Sequence, residues 1–282
     1  LGANSRYGFY SLYDQFAAGE QDTLHIIKSG PGTGKSTFMK QIGQTAEARG
    51  LDVEYILCSG DPNSLDGVYI PALRQGWVDG TAPHILEPRH FGVNGTYVDL
   101  GQFCRTKELS NCRQAIINTT TAYRMCYQKA YIYLEAAGKL SEPRCLLDPQ
   151  AEQQIRKRAQ AKIKKELSDA DEHTAKPTKR FIRAISCLGN YFLNETINSL
   201  CTHLCILESN YGLESIFFDE ILTEANKRHI YYILCPNPLI PDQVETILFP
   251  GIQLSFSTNN AIAQFQGKTR TIHLDSYIDR MD

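Results

Sequence analysis

A chain of 282 residues, 42% hydrophobic and 21% charged, suits one large α/β domain or two small ones and is too apolar to be disordered. Its net charge of -2 supplies no global field for nucleic acid, which argues against nucleic acid as a partner. No run of about 18 apolar residues occurs, so no membrane partner is expected.

The first segment, LGANSRYGFY, has no charged-then-apolar leader, and nine cysteines are scattered without paired spacing. Together these predict a cytoplasmic, reducing location. Thr23 to Lys28 (TLHIIK) is a short apolar run suited to a buried parallel strand. SGPGTGKST follows, and then FMKQIGQTAEARG, which sets Phe38, Met39, Ile42 and Ala46 at helical spacing.

Strand, glycine-rich turn and helix form the context in which such a string cradles phosphate. Gly30, Gly32 and Gly34 allow backbone conformations that bring amide groups together, and the helix start aims its positive dipole end at the same point. Lys35 provides a point charge for β and γ phosphates, and the Ser36 hydroxyl is a ligand for Mg2+. The expected binding segment is Ser29, Gly30, Pro31, Gly32, Thr33, Gly34, Lys35, Ser36 and Thr37. The expected ligand is ATP, or a close nucleoside triphosphate, with Mg2+. Ser29 stands where the usual pattern has Gly or Ala, and Gly30 is expected to absorb the altered turn.

A magnesium shell also needs a carboxylate, normally at the end of a neighbouring strand. Asp79 ends LRQGWVDG, whereas Asp219 and Glu220 end SIFFDE. Appearance favours the second pair; an internal comparison favours Asp79. Thr23–Ser36 aligns with Thr202–Ser215, Pro71 with Pro250, and VDLGQF (Val98–Phe103) with IHLDSY (Ile272–Tyr277). The string YILC occurs at both Tyr55–Cys58 and Tyr232–Cys235, and Ser5, Gly8, Tyr10 and Leu12 are echoed by Ser186, Gly189, Tyr191 and Leu193. In this register Asp219 and Glu220 occupy helix positions, with Phe217, Ile221 and Ala225 in line. The second loop reads SNYGLES (Ser209–Ser215), so Glu214 replaces Lys35, and Thr258 replaces Asp79. The second copy is expected to keep the fold and lose the phosphate site.

YGFYSLYD (Tyr7–Asp14), SGPGTGKST, DVEYILCSGDPNSLDGVYIP (Asp52–Pro71) and VDGTAPHILEP (Val78–Pro88) resemble a family of bacterial two-repeat P-loop ATPases. The resemblance covers the first hundred or so residues well and the second repeat loosely. Relatives of this kind often look intact at both P-loops, whereas this chain keeps one. The resemblance implies ATP binding, supports Asp79 as the magnesium-shell carboxylate, and marks Asp61, Asp66 and His84 as loop residues near the site. Read from the chain itself, His84 suits a γ-phosphate sensor or proton relay, or else only a Pro83-His84 turn. Asp61 heads a DPN turn and also suits a plain turn former.

Residues 104 to 140 read as one or two helices, with a tyrosine-rich stripe through Ile116, Ala122, Tyr123, Cys126, Tyr127, Ala130 and Tyr131. That stripe suits packing, or docking of a protein partner. Ala151 to Leu167 is a basic helix expected to be a solvated connector, the alternative being a phosphate-backbone contact. Cys201, His203 and Cys205 alternate in CTHLC but lack a fourth zinc ligand.

The expected fold is α/β, with P-loop NTPase-type parallel sheet units in two internal repeats and a helical insertion. Residues 1–103 form the first, active unit, 104–180 the helical insertion and basic connector, and 181–282 the second, degenerate unit. The expected activity is Mg-dependent ATP hydrolysis, with Lys35, Asp79 and His84 as catalytic residues and Ser36 and Asp79 as metal-shell residues. The same residues also suit a P-loop kinase of a small molecule, or a nucleotide-gated module that binds a macromolecule.

Overall fold

The computed structural model describes residues 1–82, 85–141, 149–173 and 176–277. Two compact units emerge, one of Leu1–Glu135 with Ile185–Gly189, the other of Ala136–Ala184 with Asn190–Asp282. Each is mixed α/β, and no helix among the described residues is long and apolar enough to cross a membrane.

The first unit begins with an antiparallel hairpin, β1 (Gly2–Ser5) and β2 (Gly8–Ser11), turned at Gly8 with φ 90°. Strand β3 (Thr23–Lys28) leads through the glycine-rich loop into α1 (Lys35–Glu47). Strands β4 (Glu54–Leu57), β5 (Leu65–Ile70), β6 (Gln75–Asp79) and β7 (Gly95–Asp99) complete a sheet of order β4-β5-β6-β3-β7. Only β6, β3 and β7 run parallel; β5 is antiparallel to both β4 and β6. The expectation of a parallel sheet unit holds for β6, β3 and β7 and fails for β4 and β5. The β5–β6 link is one 3-10 turn at Pro71–Leu73, too short for the dozen-residue crossover that parallel neighbours require. Met39 and Ala46 of α1 are buried over the sheet with Ile27, Leu65 and Val68, and a Cβ at Gly43 would collide with the Tyr55 ring. That glycine lets the helix lie close to the strands.

Helices α2 (Thr106–Asn111) and α3 (Arg113–Leu140) follow. Of the tyrosine-rich stripe, Tyr127 and Tyr131 are half-buried, and the Tyr131 hydroxyl donates to Asn4 Oδ1 at 3.1 Å; Ile116 and Tyr123 are exposed.

In the second unit α4 (Pro149–Glu166) precedes β8 (Thr178–Lys179) and α5 (Asn194–Leu200); of the strands between, β9 (Arg183–Ser186) and β10 (Gly189–Phe192), it holds residues 183–184 and 190–192. Strand β11 (His203–Glu208), α6 (Glu214–Lys227), β12 (Ile233–Pro236), β13 (Val244–Phe249), β14 (Leu254–Thr258) and β15 (Lys268–His273) complete it. The sheet order is β15-β11-β14-β13-β12-β8, again with β13 antiparallel to its neighbours and β11 parallel to both of its own.

Helix α4 is not the solvated connector its composition suggests. Ile155, Ala159, Ile163 and Leu167 recur every fourth residue and are buried in one core with Phe217, Ile221, Ala225 and Phe249 of the second unit. Its lysines lie on the other face, where they obscure the stripe in a composition count. Cys201 and Cys205 are buried and His203 is exposed, and among the described residues no group of three His, Cys, Asp or Glu side chains is placed to hold a metal.

Candidate functional site

The site is assembled at the C-terminal ends of β3 and β6. Ile27 pairs with Asp79 across these parallel strands, so Asp79 ends the strand directly beside the one that feeds the loop. In sheets of this kind the crevice beyond the carboxyl ends of the strands is where ligands bind.

Gly32 (φ 73°) and Gly34 (φ 89°) take left-handed backbone conformations, which a Cβ would disfavour; Gly30 does not. The strain therefore falls later in the loop than expected. Ser29 contributes its hydroxyl, which bonds to Thr33 Oγ1, while Thr33 donates to the Gly30 carbonyl at 2.8 Å. A serine at the first position thus braces the loop from within.

Gly34 caps α1 without a side-chain hydrogen bond, and the amides from Gly32 to Thr37 find no acceptor among the described residues. Such a cluster of free amides at a helix start attracts an anion. Lys35 Nζ lies over the loop, 2.9 Å from the Gly30 carbonyl and 3.3 Å from that of Ser29. It is also 3.5 Å from Asp79 Oδ2, and the two side chains are only 11% and 15% exposed. Asp79 Oδ1 accepts from the Thr81 amide (2.8 Å) and hydroxyl (2.5 Å), which fixes the carboxylate's rotation. Ser36 Oγ accepts from the Leu65 amide at 2.9 Å, leaving its proton and a lone pair uncommitted in that contact.

Comparisons of the chain with protein-family models, with curated proteins and with solved structures found no match. What the loop can bind follows from its own chemistry.

Gly80, which follows Asp79, has no room for a side chain, because a Cβ there would collide with Ile26. Asp66 is not a loop residue: it is the second residue of β5, buried, and its Oδ2 accepts from the Tyr13 hydroxyl at 3.1 Å. Burial pushes the Tyr13 hydroxyl well above its usual value, with the charges of Asp66 and, more weakly, Asp79 adding to the effect. Tyr13 thus holds the buried Asp66 carboxylate, a contact the sequence reading missed. Cys58 belongs to the same group, its thiol pushed up to about 11 by burial and then by Asp66. Asp61 accepts from the Asn63 amide at 3.1 Å, the role of a turn former. His84 lies outside the described residues.

The corresponding loop of the second unit is differently filled. Leu213 precedes α6 with φ -69°, so the left-handed conformation of Gly34 is absent there. Glu214 Oε1 accepts from the Ser209 amide at 3.2 Å, and Asp275 Oδ2 accepts from the Asn210 amide at 3.0 Å. Ser209 Oγ takes the amides of Tyr211 and Leu213 at 3.0 and 3.3 Å. Burial raises the Glu214 carboxyl, against the pull of backbone hydrogen bonds from Glu214 and Ser209, while Asp275 raises it further. Asp219 and Glu220 lie inside α6, paired with Arg156 at 3.4 and 3.0 Å, and not at a strand end.

Proposed function

We propose that the chain is a Mg-dependent nucleoside-triphosphatase that binds one ATP at Ser29–Thr37. The observation that carries this reading is the Lys35 ammonium held between the loop carbonyls and Asp79, beside amides that no acceptor among the described residues satisfies. A triphosphate entering the loop would take the amides' hydrogen bonds and draw Lys35 from the carbonyls to its β and γ oxygens.

The donor set fits magnesium. Mg2+ keeps several waters and needs only one or two protein oxygens beside the phosphates, and Ser36 Oγ and Asp79 Oδ2 are of the right kind. When bound, the ion neutralises charge on the phosphates. The chain's own work is to position them through the loop amides and Lys35, and to hold Asp79 in one rotamer through Thr81.

The second unit is, in this proposal, a duplicated copy whose phosphate site has been filled by protein. Its sheet repeats the five-strand order of the first with β8 added at one edge, and its antiparallel pair breaks register at Cys235/Pro236 as the first does at Ile56/Leu57. The turns at Arg74 and Gln253 share φ 52°, and Pro71 and Pro250 each begin a 3-10 turn before the carboxylate-position strand. Ser209 Oγ takes the amides of Tyr211 and Leu213, which stand where Gly32 and Gly34 offer free ones, and Glu214 and Asp275 add two carboxylates to the same loop.

The test is release of inorganic phosphate from ATP. It is expected to require Mg2+ and to fall to background in Lys35→Ala; hydrolysis that persists in that variant would refute the site.

A further inference from the structure

The correspondence between the two units exposes a difference outside the phosphate site. In the second unit the outer side of α6 is covered by α4. Ile155, Ala159, Ile163 and Leu167 lie in one core with Phe217, Ile221, Ala225, Ile230 and Phe249. Polar contacts lock the two helices in register: Arg156 and Gln160 reach Glu220 at 3.0 and 2.7 Å. Arg228, just after α6, donates to the carbonyls of Leu167 and Ala170 and so caps the end of α4.

The same positions in the first unit line an open groove with a cavity volume of about 280 Å3. Phe38, Ile42, Ala46, Leu51, Ile70 and Leu73 stand where Phe217, Ile221, Ala225, Ile230, Phe249 and Ile252 stand in the second. Phe217 and Ile221 are fully buried, whereas Phe38 and Ile42 are half-buried and Leu73 is 51% exposed. Arg49 occupies the place of Arg228, at the point where the covering helix is capped.

We propose that this groove binds an amphipathic helix from another polypeptide, laid along α1 as α4 is laid along α6. Apolar residues at every fourth position would enter between α1 and the 3-10 turn at Pro71–Leu73, and Arg49 would cap the helix's last carbonyls. Charge selects against α4 of a second copy. Asp219 and Glu220, which hold Arg156, are replaced by Lys40 and Gln41, so an arginine at that position would find no carboxylate at either place and one positive charge more on the helix. The partner helix carries an acidic residue there. The inference rests on the correspondence of the two units, not on nucleotide binding.

The probe is a fluorescent, hydrocarbon-stapled peptide of residues 149–170 carrying Arg156→Glu, titrated with the full chain by anisotropy. Saturable binding is expected, weakened at least about tenfold by Leu73→Asp and by Arg49→Glu, and several-fold weaker for the peptide with Arg156 retained. Leu73 is half exposed, so the aspartate variant keeps its fold. Binding by Lys35→Ala is expected to match the native chain, which separates this result from the fate of the ATP site. No saturation by the Arg156→Glu peptide would overturn the proposal. So would binding indifferent to Leu73→Asp, which would place the peptide elsewhere. Tighter binding of the Arg156 peptide would assign the groove to a second copy of the chain and refute a foreign helix.

Discussion

Lys35 and Asp79 face each other at 3.5 Å in a setting with little solvent, so each side chain is placed by the other as well as by the loop. Asp79→Asn keeps the shape and the acceptor for Thr81 but removes the charge. Magnesium-dependent hydrolysis is expected to fall at least about tenfold, the scale of losing one charge-assisted contact, while the circular dichroism spectrum is unchanged. The combined change Asp219→Asn with Glu220→Gln should leave hydrolysis alone. It should instead lower unfolding free energy by about 1–3 kcal/mol, because buried Glu220 loses its charged bond to Arg156. The reverse pattern in phosphate-release and denaturation assays would show that the carboxylates have been assigned the wrong way round.

Glu214 offers a second test at this scale. Its carboxyl is raised in the folded chain, chiefly by burial, so the folded state holds the proton more tightly than the unfolded one. That contribution to stability is complete below the ordinary glutamate range near 4.3 and is lost as pH rises through the raised folded value. Glu214→Gln is therefore expected to melt higher than the native chain at pH 7, with the gain disappearing at pH 4. A melting difference independent of pH would contradict the burial of that charge.

The turn of the first loop was legible because the string carries its own geometry: Gly32 and Gly34 where φ is positive, lysine and serine at the helix start. Tyr13 was not legible in its role, since nothing in YGFYSLYD says which tyrosine turns inward. Asp66 could have been read. It alternates with Val68 and Ile70 along one strand, a pattern that places its carboxyl on a buried face.

Among the elements, α4 shows most clearly where composition misleads. A four-residue spacing of Ile155, Ala159, Ile163 and Leu167 is a narrow stripe, and six cationic side chains between Arg156 and Lys165 hide it. Ile163 is fully buried, so Ile163→Ala is expected to cost about 2–4 kcal/mol through lost burial and the cavity left behind. A denaturant midpoint within error of the native chain would restore the solvated-connector reading. The antiparallel β4–β5–β6 arrangement was likewise available from link length. The connection at Pro71–Leu73 admits a hairpin and no crossover, even though the apolar runs alone suit either sheet type. The helix over Glu214–Lys227 agrees with the spacing of Phe217, Ile221 and Ala225, against the strand-end appearance of SIFFDE.

For the whole molecule, the two sheets share the order of five strands, the site of the register break and a left-handed turn at Arg74 and Gln253, while β8 is added in the second and their loops part company. Sequence comparison placed YILC of the first unit on YILC of the second. The pairing register instead puts Glu54 opposite Tyr69 and Ile233 opposite Leu248, so the identical strings are displaced by two positions along the strand. A shift of two keeps every side chain on its own face, so the identical strings hide the offset and do not reveal the register.

We propose that each chain holds one Mg-ATP, at the first loop, and that Glu214 and the Ser209 hydroxyl bonds to the Tyr211 and Leu213 amides exclude it from the second. Equilibrium binding of a slowly hydrolysed ATP analogue, measured by titration calorimetry on the full chain with Mg2+ present, counts the sites directly. One site per chain is predicted, weakened at least about tenfold by Lys35→Ala and unaffected by Ser215→Ala. Two sites, or a single site that survives Lys35→Ala and is lost with Ser215→Ala, would contradict it.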